Sequence, residues 1–118
     1  MHGSFSRADT RNTMAAFGPS FRKRLEDAAP ASNADLSRTI LQIMGLKHRD
    51  NGALLGRVLV EAMPDGSMPN VRHATLQSDA DEWGNSTALV FQSVGDTRYL
   101  DVAGYRGRTV GLPTSTNR

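Results

Sequence analysis

The spacing of hydrophobic positions changes character twice along the chain, and each change predicts a different kind of element. The opening residues 1–12, MHGSFSRADTRN, are small and polar, and the apolar run TMAAF that follows is closed by Gly18 and Pro19. This pattern predicts a loop feeding a buried strand. A basic, polar connector from Ser20 to Pro30 leads into ASNADLSRTILQIMGL, where Leu36, Ile40, Ile43 and Met44 recur at helical spacing. That period predicts a helix over 33–44 that buries its apolar stripe. Ser32 with Asp35 three residues on reads as a capping box, and Gly45 stands where a left-handed C-terminal cap belongs. If the stripe is buried, a charge at Ile40 would cost on the order of several kcal/mol, while Arg38 would be replaceable.

Asn51-Gly52 marks a turn, after which Leu54, Leu55, Val58, Leu59 and Ala62 form a second, shorter amphipathic pattern ended by Pro64. Turn formers fill 64–70. Beyond them the character becomes strand-like at Val71 to Leu76, Thr87 to Val94 and Thr97 to Val102, with Gly95-Asp96 as a tight hairpin turn. The acidic stretch from Ser78 to Ser86 reads as a loop, and residues 113–118 as a disordered tail. One strand, one good helix and a C-terminal hairpin do not close an α/β layer, because a parallel strand needs neighbours and crossover helices on both faces. The pattern is that of an incomplete domain.

Composition narrows the picture without completing it. Hydrophobic residues make up 38% of the chain, enough for one modest core. No apolar run approaches the roughly 18 residues of a membrane span, and no basic-then-apolar signal pattern opens the chain. The absence of cysteine removes disulfides and thiolate metal sites and leaves the compartment open. The net charge of +2 comes from 14 cationic and 12 anionic residues that are interleaved, unlike a nucleic-acid-binding tail. A local excess of Arg7, Arg11, Arg22, Lys23 and Arg24 over Asp9 is either a solvated surface or an attraction for an anionic substrate. Tyr99, Tyr105, Arg98, Arg106 and Arg108 raise a nucleic-acid reading, which 6% aromatics and the nearby acids disfavour. GYRGRTVG lacks the spacing of a dinucleotide-binding loop, and Asn85-Ser86-Thr87 is a glycosylation tripeptide without a secretion context.

His2, followed by Gly3, lies in the small-residue loop before the expected strand, where a neutral imidazole is a candidate metal ligand. His48 and His73 stand in polar segments and read as surface histidines. The stretches HGSFSRADTRNTMAAFGPSF, ASNADLSRTILQIMGL, GRVLVEAM and VGDTRYLDVAGYRGRTVGL, in that order over nearly the whole chain, resemble the C-terminal end of bacterial alkaline phosphatase superfamily proteins of the type I phosphodiesterase and nucleotide pyrophosphatase group.

The resemblance implies an α/β fold, the C-terminal portion of an alkaline phosphatase-like α/β sandwich with a C-terminal β-hairpin. Residues 1–63 would belong to the phosphoesterase core and 64–112 to a β-rich extension. It makes His2 a ligand of one of two divalent ions, zinc in this family, acting on a phosphate-ester substrate. Arg7, Asp9 and Asn12 become candidates for holding the His2 ring, against the alternative of an ordinary hydrogen-bonded loop. The family's nucleophile and remaining ligands lie upstream of the His-Gly motif and match nothing here. The chain alone is therefore expected to be inactive, its partner being the upstream part of the same enzyme or another chain. Intact family members are often periplasmic or secreted. The competing reading is a non-catalytic protein-interaction module.

Overall fold

The structure is a computed structural model, and it describes residues 3–47 and 56–114. The turn at Asn51-Gly52, Leu54, Leu55, and residues 115–118 of the expected tail lie outside the described residues. Helices and a small antiparallel sheet occur together. In chain order they are α1 (Arg7–Thr10), α2 (Asn33–Ile43), a 3-10 turn (Val60–Ala62), β1 (Val71–Gln77), β2 (Thr87–Val94) and β3 (Thr97–Tyr105). No described helix is long and apolar enough to cross a membrane. The chain forms two compact units. One takes in Met1–Met14, Arg72–Ser93 and Arg98–Arg118, the other Ala15–Val71 and Val94–Thr97.

In the first unit the sheet has the order β1-β2-β3. β2 and β3 are joined by the two-residue turn Gly95-Asp96, with Gly95 at φ 56°. A positive φ at the first turn position alone is the type II′ geometry, whose twist matches that of paired strands, and glycine adopts it without a Cβ clash. Ala88, Val102 and Leu112 are buried together with Val90 against them, so the apolar core sits under β2 and β3. β1 lies beyond it, exposed from Arg72 to Gln77. The loop between β1 and β2 is tied by Asp81, whose Oδ1 accepts the backbone N–H groups of Asn85 at 2.7 Å and Trp83 at 3.0 Å. The backbone bond from Asn85, with the further bonds from Asn85 and Trp83, holds the Asp81 carboxyl below its ordinary pKa.

The second unit is organised around charge. The N-terminus of α2 is capped as its sequence predicts, the Ser32 N–H donating to Asp35 Oδ2 at 2.8 Å. Its C-terminus closes in a Schellman motif, with Gly45 N–H donating to the Gln42 carbonyl at 3.1 Å and Leu46 N–H to that of Leu41 at 3.0 Å. The orientation of the helix reverses the expected one. Asp35 is 0% exposed and Thr39 is buried, whereas Ile40 is 52% exposed and Leu36 and Met44 also face outward. Of the four stripe residues only Ile43 is half-buried, so the apolar stripe of α2 is mostly not its buried face. The reason is a set of polar bonds that grip the other side. Asp35 Oδ1 accepts the Arg57 N–H at 2.7 Å, and Thr39 Oγ1 accepts the Leu59 N–H at 3.0 Å.

Arg57 extends this grip. Its guanidinium meets both carboxylate oxygens of Glu61, one at 2.8 Å, and donates to the Pro30 carbonyl at 3.0 Å. Glu61 is 0% exposed. Burial acts to raise its pKa, but the Arg57 hydrogen bonds, a backbone hydrogen bond and the Arg57 charge outweigh burial and hold the carboxyl below its ordinary value of 4.5. No buried side-chain polar atom lacks a partner among the described residues. The expected buried strand at 13–17 is absent: these residues have no regular structure, and Phe17 is 97% exposed. The segment straddles the two units and takes no place in the described three-stranded sheet, so no ladder pairs its backbone.

Two outcomes follow from the grip on α2. Glu61→Gln removes one of the two oxygens and the charge that the Arg57 guanidinium meets and should cost about 1–3 kcal/mol in urea unfolding, whereas Ile40→Asp should cost no more than about 0.5 kcal/mol. Because the folded-state pKa of Glu61 is lowered, its stabilisation is complete above about pH 4.5 and is lost as pH falls through the folded value. Urea midpoints measured from pH 7 down to pH 3 should fall in that window, and fall less steeply in Glu61→Gln.

Candidate functional site

The segment expected to follow a metal ligand is folded against the sheet by side chains and backbone together. Ser4 N–H donates to Asp9 Oδ2 at 2.9 Å and the Ser4 hydroxyl donates to the same oxygen, closing a small loop across residues 4–9. Within that loop α1 forms a single turn from Arg7 to Thr10. Arg7 Nε donates to Asp101 Oδ1 at 3.0 Å and its terminal nitrogen bonds Asp101 Oδ2, a fork-to-carboxylate pair joining residues 94 positions apart. The side chains are 30% and 10% exposed, so the pair is only partly screened by water.

The backbone follows the same path. The Ala103 N–H donates to the Phe5 carbonyl at 2.8 Å, the Arg7 N–H donates to the Val110 carbonyl at 2.9 Å, and the Thr10 hydroxyl donates to the Asp101 carbonyl. Residues 5–10 thus cover the outer edge of β3 and satisfy groups that an edge strand would leave to solvent. Gly111 makes the approach of Arg7 possible. Its φ is +95°, and a Cβ there would stand 2.7 Å from the Arg7 Cβ. Beside this strap, Phe5, Leu76, Leu89, Ala103 and Gly104 line an open, largely apolar groove of about 430 Å³.

His2 and His48 lie outside the described residues, and His73 stands on exposed β1. Of the three residues proposed to hold the His2 ring, Arg7 is engaged by Asp101, Asp9 by Ser4, and the Asn12 Oδ1 accepts the Thr13 N–H at 2.9 Å. Each has a bond that accounts for its place in the loop, and the three do not converge on one point through any described bond. Among the described residues no group of three or more His, Cys, Asp or Glu side chains is arranged to hold a metal ion. The basic excess near the N-terminus is also partly engaged. Besides Arg7, Arg22 donates weakly to the carbonyls of Glu61 and Gly66 at 3.3 and 3.4 Å. Sequence reasoning missed Asp101 as the partner of Arg7, since nothing local relates residues so far apart. The alternation of β3 offered a faint signal, because Asp101 interrupts an otherwise apolar stretch at Leu100, Val102 and Ala103.

No family model, curated protein or solved structure matches the chain.

The strap depends on Arg7 and Gly111 in separable ways. Gly111→Ala should destabilise the first unit by about 1–3 kcal/mol through the left-handed backbone and the clash with Arg7. Asp101→Ala should instead release residues 5–10, seen as faster hydrogen exchange at the Ala103 amide, whose acceptor lies on the strap.

Proposed function

We propose that this chain is the C-terminal portion of a metal-dependent phosphoester hydrolase of the alkaline phosphatase type, inactive alone and completed by upstream sequence of the same enzyme or by a partner chain. The observation that carries the reading is the exposure of apolar segments that a complete α/β layer would cover. The run at 13–17 ending in Gly18-Pro19 is exposed throughout, from Met14 at 41% to Phe17 at 97%, and Leu36, Ile40 and Met44 of α2 are exposed by 39 to 62%. Both segments fall in the stretches that resemble the phosphoesterase family. In an intact layer the first would enter a parallel sheet between neighbours and the second would pack as a crossover helix.

In this reading His2 supplies one neutral imidazole to a zinc ion. The strap of residues 5–10 on β3 fixes the chain that follows His2. A catalytic zinc takes three protein ligands, and one histidine does not hold it. The other ligands and the nucleophile therefore belong to the upstream sequence. When bound, two such ions neutralise the phosphate charge and activate the attacking hydroxyl. Arg7 serves this chemistry indirectly: it is held by Asp101 and orders the loop rather than touching substrate.

The isolated chain, supplied with zinc, should hydrolyse neither a nitrophenyl phosphate monoester nor the diester above the buffer rate. In a complete homologue of this type carrying the same motif, the substitution corresponding to His2→Ala should lower metal content and reduce the rate by at least about 10- to 100-fold, with His48→Ala as the neutral control. Full metal occupancy with an unchanged rate in the His2 variant would remove His2 from the site.

A further inference from the structure

The two edges of the sheet are treated differently. The outer edge of β3 is covered by residues 5–10, through the Phe5 carbonyl and the Thr10 hydroxyl. β1 is the other terminal strand of the order β1-β2-β3, seven residues long and exposed on both faces from Arg72 to Gln77. It contains no proline, and of the charged residues that blunt such an edge it has only Arg72.

The register identifies which backbone groups point outward. The Ser78 N–H donates to the Thr87 carbonyl at 3.0 Å. Continued along the ladder, this places Leu76 opposite Leu89, Ala74 opposite Phe91 and Val71 opposite Val94, in agreement with the ends of both strands. In an antiparallel ladder alternate residues bond to the same neighbour, so Arg72, Ala74 and Leu76 direct their backbone groups to β2. Val71, His73, Thr75 and Gln77 direct theirs to the outer edge.

We propose that this edge pairs with β1 of a second copy, antiparallel and centred on Ala74, joining two three-stranded sheets into one of six strands. The sequence VRHATLQ is self-complementary in that register. Val71 meets Gln77 and His73 meets Thr75 of the other copy as hydrogen-bonded pairs, so the outward N–H and C=O groups of all four residues are used, about eight bonds in total. Ala74 faces its own counterpart at a non-hydrogen-bonded position, where Cα atoms approach to about 4.5 Å and a small side chain fits best. Arg72 stands opposite Leu76, which is exposed beside the groove that Phe5 and Leu89 line. The arginine stem can lie along apolar surface there. The two Arg72 side chains are four residues apart along the strand, about 14 Å, beyond the screening length of about 8 Å at physiological salt. No like charges are directly opposed. A shift of the centre to residue 72 or 76 breaks this pattern, either opposing the two arginines or leaving half of the outward groups unpaired. The proposal is independent of the phosphoesterase reading, since it uses no metal and no upstream sequence.

Sedimentation equilibrium of the full chain tests it. The wild type should show a concentration-dependent monomer–dimer equilibrium. Ala74→Lys and Ala74→Glu each place like charges at the axis without touching the backbone bonds to β2, and each should weaken dimerisation about fivefold or more. An equimolar mixture of the two variants should recover association as a heterodimer, which also shows that both variants are folded. A wild type that stays monomeric up to its solubility limit, even if it captures an extended peptide, would overturn the proposal. So would single variants that dimerise as well as the wild type, or a mixture that fails to recover.

Discussion

The guanidinium of Arg57 is the constraint on which the second unit depends. It meets both oxygens of the buried Glu61, its own backbone N–H holds Asp35 on α2, and it bonds the Pro30 carbonyl of the incoming connector. Two segments distant in sequence, residues 30–35 and 57–61, therefore meet at one residue, through both its charged group and its backbone N–H. A buried ion pair of this kind adds little net stability compared with an apolar cluster, because desolvation offsets most of the attraction. Its effect is on specificity. With Asp35 and Thr39 inside, the rotation of α2 is set, and Leu36, Ile40 and Met44 of its apolar stripe turn outward while Ile43 stays half-buried.

That outward turn links the fold to the proposed role. α2 is a surface helix that buries polar residues and exposes Leu36, Ile40 and Met44, and under the proposed role upstream sequence would cover that face. Phe17 and the apolar run before it have the same character. In the first unit the corresponding work is done by Arg7 and Asp101, which lay the N-terminal segment along β3 and leave β1 as the open edge. Among the described residues the buried side-chain polar atoms all have partners, while several large apolar side chains stay exposed.

The local elements were legible in the sequence. Alternation and the Gly95-Asp96 pair located all three strands, and Ser32, Asp35 and Gly45 fixed both ends of α2. Those features depend on neighbours a few residues away. The facing of α2 was not legible, because periodicity reports which side of a helix is apolar and not what the opposite side will meet. Asp35 was read as a cap, and it is one, but the same carboxylate also accepts the Arg57 backbone N–H 22 residues on. The strand at 13–17 failed for a related reason: an apolar run states a preference for burial, and only tertiary partners can satisfy it. Of the candidate site, the loop after His2 was foreseen as polar and structured, while its anchor at Asp101 was hidden by a separation of 94 residues.

The most direct measurement is the solvent accessibility of Phe17 and Ile40 by hydroxyl-radical footprinting, in the isolated chain and in the longer enzyme that the proposed role requires. Both side chains should be labelled readily in the isolated chain and strongly protected in the complete enzyme, with Trp83, on the exposed loop before β2, labelled in both as the reference. Equal labelling of Phe17 and Ile40 in the two proteins would contradict the account, since the apolar surfaces would then have no upstream partner.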